Sequence, residues 1–222
     1  MKKIRDYYIP ENDYHFQEYL KQFEHYQEAQ RNRALSYVEN WGLAIDIGAN
    51  IGLWSKDLSN YFDKLICFEP NPNCIDYLKK NIKIKNAEIY PYGLGAEECN
   101  QDLFIHPINS GASSFVDYTK VGLDKQSRPV YGKFPDQTQK INVNIKKLDN
   151  FNFEKIDFIK IDVQGYEYKV LKGAKKTLTN NNPIICLEED KPQDSETIPY
   201  LKSLNYSIID IINKEYIFKK KS

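Results

Sequence analysis

The sequence predicts an α/β fold with a mostly parallel sheet of about seven strands, and three observations carry that prediction. Short apolar runs that end in an acid, at 44–46, 65–69, 156–162 and 183–188, alternate with segments whose apolar residues recur at helical spacing. Strand and helix in alternation wind into right-handed βαβ units, which sets the strands parallel. The first run leads straight into Gly48-Ala49-Asn50-Ile51-Gly52, the pattern of strand, tight turn and helix. At the other end, Tyr206 to Ile212 and Tyr216 to Phe218 are separated only by Asn213-Lys214-Glu215, short enough for a hairpin, so the C-terminal strand runs antiparallel. Together these make a Rossmann-like sheet.

One domain is expected, with residues 1–40 as a helical cover and 41–222 as the Rossmann-like part. From Tyr14 to Asn40, residues Phe16, Tyr19, Leu20, Phe23, Tyr26, Leu35 and Val38 have helical spacing, as two helices or one bent helix over a face of the sheet. Tyr26 and Arg31 could reach a ligand from that cover, although packing or solvent is the simpler fate of each. The strand ending at Asp46 and its loop lead to a helix with Ile51, Trp54, Leu58 and Phe62 inward, Trp54 as core. After Glu69-Pro70, Asn71 can cap the next helix by accepting from a free backbone N–H, with Pro72 at the first position, where its missing donor does no harm. That helix carries Tyr77, Leu78 and Ile82; Ala87 to Pro91 is a third strand.

The alternation breaks over about 100–145. Leu103-Phe104-Ile105 and Ile141 to Ile145 read as an inserted hairpin, and the aperiodic 107–140 between them is expected to be a substrate-facing lid. The alternation resumes with the strand to Asp162, a turn at Val163 to Glu167, a helix from Tyr168 to Leu178, the strand to Glu188 and a helix from Ile198 to Leu204. Lys219-Lys220-Lys221 reads as a solvated tail.

The loop at Gly48 says what kind of ligand to expect. Its glycines allow positive φ and a close approach of backbone to ligand. A dinucleotide site would need Gly-x-Gly-x-x-Gly to lay a pyrophosphate on the helix N-terminus. Here Asn50 takes the second glycine position, and Asp46 ahead of the turn would repel phosphate. A cation carrying a nucleoside, such as S-adenosylmethionine, fits better than NAD. Glu69, ending the next strand, stands where a ribose diol is held.

Composition excludes several classes. Net charge is zero with 28% charged residues, which does not favour nucleic acid as a partner. No apolar run approaches the roughly 20 residues of a membrane span, and the first residues lack the apolar core of a signal peptide, so a cytoplasmic protein is expected. Cys67, Cys74, Cys99 and Cys186 form no Cys-x-x-Cys pair, which argues against a zinc site or a disulfide framework.

Four blocks resemble the FkbM-type family of S-adenosylmethionine-dependent methyltransferases: Ala44 to Gly52 with Trp54 and Ser55; Cys67-Phe68-Glu69-Pro70; Gly111-Ala112-Ser113-Ser114; and Asp157 to Ala174. With Pro183 to Glu188 they span most of 40–190, and the fourth is the family's hallmark. One residue departs from it: Gln164 stands where the family usually has Glu, so it keeps an acceptor and loses a charge. The resemblance implies a hydroxyl acceptor on a saccharide, glycan or polyketide-type product. Asp46, Gly48, Ala49, Asn50, Gly52, Glu69 and Pro70, with Asp162, are expected around the cofactor.

Methyl transfer to an alcohol needs alignment and a general base, and in an open α/β sheet the base must sit at the carboxyl ends of the strands. Asp162, Glu188, Glu167 and His106 qualify. For each a structural role stands beside the catalytic one: Asp162 as a cap of the 163–165 turn, Glu188 as a solvated acid, Glu167 as an acid at a helix start, His106 as a packed or exposed histidine. No metal motif is matched, and no metal is expected. A base methyltransferase of nucleic acids would show Asn-Pro-Pro-Tyr or Pro-Cys, and Asn71-Pro72-Asn73-Cys74 is neither. A module that binds the cofactor without turnover, or a methyltransferase of a non-sugar hydroxyl, is the alternative.

Overall fold

Leu43–Ile47 is buried at every position, and a strand like that is stable only in a sheet covered on both faces. A computed structural model supplies the covering. It describes all residues except 83, 117–138, 191, 194 and 222.

Among the described residues the chain begins with strands β1 (Lys2–Ile4) and β2 (Tyr7–Ile9) and helices α1 (Tyr14–Gln22) and α2 (Glu28–Leu35). There follow β3 (Leu43–Ile47), α3 (Leu53–Tyr61), β4 (Lys64–Phe68), α4 (Pro72–Asn81) and β5 (Ala87–Tyr90). An inserted group, β6 (Gly93–Leu94), β7 (Cys99–Ile105) and β8 (Gln139–Lys146), precedes β9 (Ile156–Ile161). Helices α5 (Glu167–Lys172) and α6 (Lys175–Asn181), β10 (Ile184–Glu188), α7 (Thr197–Ser203), β11 (Tyr206–Ile212) and β12 (Glu215–Lys220) complete it.

The main sheet has seven strands in the order β11-β12-β10-β9-β3-β4-β5. Neighbours from β10 to β5 are parallel, whereas β12 is antiparallel to both β10 and β11. The fold is therefore the Rossmann-like one expected, with the C-terminal strand set between two others rather than at the edge. From β3 the chain steps outward to β5, then returns to β9 on the other side of β3. That reversal is the topological switch point where open α/β sheets bind ligands.

Alternate strand residues feed two cores, as period-two geometry requires. Ile45, Ile66, Ile159 and Ile185 pack with Val170, Leu171, Leu178 and Leu201 on one face. Ala44, Leu65, Phe158 and Cys186 pack with Leu58, Phe62 and Leu78 on the other. Trp54 belongs to the second core, as expected. The predicted cap of α4 forms: the Asn71 side chain accepts from the Asn73 N–H at 3.0 Å, with Pro72 opening the helix.

The expectations for the N-terminal segment, the 107–140 stretch and the C-terminal lysines need correction or limits. The 1–40 segment is not all helical; β1 and β2 pair as an antiparallel ribbon, because Tyr7 and Ile9 alternate inward with Tyr8 between them. The hairpin β7–β8 forms, and with β6 it makes a separate three-stranded sheet. Most of the 107–140 segment read as a lid lies outside the described residues. Lys219 and Lys220 are not a tail: they end β12, where the Lys219 ammonium meets Glu39 at 2.7 Å and that of Lys220 donates to Asn182 Oδ1 at 2.6 Å.

The helix expected from 168 to 178 is two helices, α5 and α6, separated at Gly173. Gly173 lies against the chain that follows β6: a Cβ there would stand 1.9 Å from the carbonyl oxygen of Gly95. Gly173→Ala is expected to force these backbones apart and cost about 1–3 kcal/mol, lowering Tm by roughly 2–10 °C. Thermal unfolding measures it, and an unchanged Tm would show that the contact does not constrain the fold.

Candidate functional site

Gly48 carries the first turn for two physical reasons. Its φ is +83°, and a Cβ there would lie 2.0 Å from the carbonyl oxygen of Asp162. The N–H groups of Gly48 and Ala49 both donate to the Phe68 carbonyl at 3.0 Å, which ties the loop to β4. Asn50 follows at φ +49° and Gly52 at +85°, where α3 starts.

Glu69 joins this loop to the next one. Its Oε2 accepts from the Asn50 N–H and its Oε1 from the Asn71 N–H, each at 2.7 Å. Burial outweighs those bonds and raises its carboxyl to about 7. Asp46 is only 2% exposed and accepts from Ser55 Oγ at 2.5 Å. Burial lifts it to about 6, against the pull of Ser55 and of Lys160.

A second acidic group sits across the switch point. Asp162 follows β9 and Glu188 ends β10. The Gln164 amide nitrogen donates to Asp162 Oδ1 at 2.7 Å and to Glu188 Oε2 at 3.1 Å. The sequence suggested that Gln164 keeps an acceptor, but the network uses it as a double donor, which a carboxylate could not be. The neighbouring charge of Asp162, then burial, pushes Glu188 up to about 9. Burial opposes the charge on Asp162, yet the Lys160 ammonium and hydrogen bonds from Glu188 and Gln164 hold its carboxyl below the ordinary value.

Lys160 was not singled out by the sequence reading, although a lysine within an apolar strand is itself a signal of a paired buried charge. It is 1% exposed, and its ammonium lies 3.3 Å from Glu215 and 3.6 Å from Asp162. It also stands 5.1 Å from the centre of the Trp54 ring. Burial works against its charge, but Glu215 and Asp162 outweigh that and keep it protonated.

A cavity of about 720 Å³ joins both groups. Asp46, Gly48, Ala49 and Asn50 line it, as do Glu69 and Pro70. Across from them it is lined by Asp162, Gln164 and Glu188, with Tyr26 from the segment between α1 and α2. Gly52 shapes the turn without lining the cavity.

Glu167 reaches the cavity wall, but its Oε1 accepts from the N–H groups of Val163 at 3.1 Å and Gly165 at 3.2 Å, so it braces the turn. His106 is not brought to the other acids. It lines a separate cleft of about 400 Å³, where its Nδ1 accepts from the Ile108 N–H at 3.3 Å. Arg31 also stays out, paired with Asp57 at 2.8 Å and donating to the Tyr26 carbonyl at 2.6 Å. Among the described residues no cluster of His, Cys, Asp and Glu could hold a metal ion, and no helix is long and apolar enough to cross a membrane.

Two outcomes follow from these charges. The native Asp46 carboxyl keeps its proton up to about pH 6, whereas the unfolded one loses it near its ordinary value, so its contribution to stability falls as pH rises between them. Asp46→Asn, which cannot ionise, should gain about 1–3 kcal/mol relative to wild type between pH 4 and pH 7. Denaturant unfolding at both pH values measures this, and a constant difference would refute it. Lys160→Met leaves Glu215 and Asp162 without their cation and should cost about 3–5 kcal/mol in the same assay; a neutral effect would show that those acids protonate freely.

Known proteins place this arrangement. The chain is 27% identical over 142 residues to Methyltransferase 1 of Beauveria bassiana, covering 58% of this chain and 57% of that protein. It is 25% identical over 140 residues to the hexuronic acid methyltransferase AglP of Haloferax volcanii, covering 63% and 53%. Over 156 residues it is 26% identical to the 2-O-methyltransferase NoeI of Sinorhizobium fredii, covering 66% and 63%. The chain thus spans a little over half the length of these relatives. The crystal structure of methyltransferase FkbM from Methylobacillus flagellatus superposes with a TM-score of 0.51 at 16% identity, over 81% of this chain and 44% of that one. The model of the methyltransferase FkbM domain matches residues 46–208, from the acid that opens the glycine turn to the first of the two closing strands. With that span matched and the sheet ending in acids around one cavity, the chain belongs to the FkbM methyltransferase family.

Proposed function

We propose that the protein transfers a methyl group from S-adenosylmethionine to a hydroxyl of a saccharide acceptor. The observation that carries this reading is the pair of buried acids Asp46 and Glu69, on adjacent strand ends at the switch point, facing one cavity. The residues present fit such a cofactor. The backbone at Gly48 to Asn50 leaves room for a nucleoside where a dinucleotide loop would hold phosphate, and the ionised Asp162 beside it favours a cation. Glu69 still has acceptor capacity on each oxygen beyond its backbone bonds, enough for a ribose diol. When bound, the cofactor supplies an electrophilic methyl group on a good leaving group.

The chain's own residues then have three tasks. Glu69 and the Gly48 loop orient the nucleoside, and Asp46 and Asp162 favour its positive charge. Phe68 and Leu94 give an apolar wall that excludes water. Asp162 and Glu188 face the acceptor end and receive the hydroxyl proton, because an alcohol must lose it as the new bond forms. Holding acceptor and donor in line contributes up to several kcal/mol to the barrier lowering. The saccharide rests on the printed names of AglP and NoeI. A cavity rim of acceptors, including Glu189 and Asp190, suits a polyhydroxyl compound.

Calorimetry with S-adenosylmethionine on the wild type and Glu69→Ala tests the reading. Binding should weaken about 10- to 100-fold in the variant, the loss of charge-assisted hydrogen bonds worth roughly 1.5–3 kcal/mol. Failure of the wild type to bind would remove the enzyme reading. Binding without methyl transfer to any saccharide would favour another hydroxyl acceptor or a module without turnover.

A further inference from the structure

Leu187 and Ile161 are register partners on the parallel strands β10 and β9, so the acids that follow them, Glu188 and Asp162, end side by side. One nitrogen, Gln164 Nε2, reaches an oxygen of each at 3.1 and 2.7 Å. Two carboxyl groups that close and largely out of water do not both ionise. Building on the proposed transfer reaction, we propose that Asp162 and Glu188 share one proton when the cavity holds no cation, release it to solvent when a sulfonium cation binds, and then act together as the base for the acceptor hydroxyl.

Above pH 7 the surrounding groups leave this pair as the one whose charge changes, because Asp46, raised to about 6, and Glu69 and Glu167, each raised to about 7, are then already ionised. Lys160 beneath it is held protonated by Glu215 and Asp162, and it is fixed on β9 by both. Tyr26, facing from between α1 and α2, stays neutral, because burial and then the charges of Asp162 and Glu188 raise its hydroxyl well above the ordinary value. Asp46 on β3 and Glu167 on α5 carry their own hydrogen bonds, from Ser55 and from the 163–165 turn. Lys214, on the turn before β12, is paired with Asp190. The proton on Glu188 is firmly held in this setting, up to about 9, chiefly by the charge of Asp162. A cation placed in the same cavity opposes that hold directly.

The chemistry balances. At binding, the pair gives one proton to solvent. In the transfer, the bond between acceptor oxygen and methyl carbon forms, the carbon–sulfur bond breaks with its electrons left on sulfur, and the hydroxyl proton passes to the pair. The product is a neutral thioether, so the pair keeps that proton and ends as it began. Gln164 is the positioning residue: its two N–H groups hold both acids in either protonation state, with its backbone carbonyl pinned by Ser114 Oγ at 2.6 Å.

Titration calorimetry at pH 8, where Asp46, Glu69 and Glu167 are largely ionised and the pair still holds its proton, counts the protons exchanged in two buffers of different ionisation enthalpy. S-adenosylmethionine should release close to one more proton from the wild type than from Glu188→Gln, whereas S-adenosylhomocysteine, lacking the sulfonium, should give equal counts for the two. If Glu188→Gln does not fold, the wild type decides alone, through a count higher by close to one proton for the cation than for the thioether. Equal counts for the two compounds on the wild type, or release that persists in Glu188→Gln, would overturn the proton linkage and leave the cofactor reading standing. No binding of either compound to the wild type would overturn both.

Discussion

The structure depends on one buried cation. Lys160 lies in the central strand of the main sheet, and water does not reach its ammonium group. Such a charge is stable only against fixed counter-charges, and Glu215 and Asp162 provide them from the antiparallel strand and from the end of its own. The arrangement works in both directions. Without Lys160 the acids would crowd one another; with it, Asp162 stays ionised at the cavity wall and Glu188 takes up the proton that the group cannot shed.

Gly48 sets the scale of the site. Its approach to the Asp162 carbonyl brings the β3 and β9 loops into contact, so the ends of both strands face one space. Glu69 does the same on the other side, where one carboxylate gathers the N–H groups of Asn50 and Asn71. Loops held this way are fixed by their own hydrogen bonds. A preformed site of that kind spends less of its binding energy on ordering.

The N-terminal segment and the insertion close the remaining side. Asp13 caps α1 by accepting from the Phe16 N–H at 3.1 Å and also accepts from the Ser110 hydroxyl at 2.6 Å. One buried carboxylate thus fastens the glycine-serine block of the insertion to the first helix. Tyr26, Phe16 and Ser110 then line the same cavity as the strand ends. This explains why His106, only a few residues from that block, is turned away: its backbone N–H is taken by Ser113 Oγ at 3.2 Å and its ring by the Ile108 N–H.

The sequence by itself determined the sheet, because apolar runs of strand length alternating with helical spacing have few other ways to bury their side chains. It also determined the first turn and its acids, since Gly48, Asp46 and Glu69 act through local backbone geometry and strand ends, both of which are written in short stretches of residues. Tertiary structure alone decided which distant acids meet. Glu215 lies 55 positions from Lys160 in the chain and 3.3 Å from it in space, and no periodicity reveals such a pair. It likewise decided that Gln164 donates rather than accepts and that His106 stands apart, because hydrogen-bond roles follow from what packs opposite a side chain and not from its neighbours in sequence.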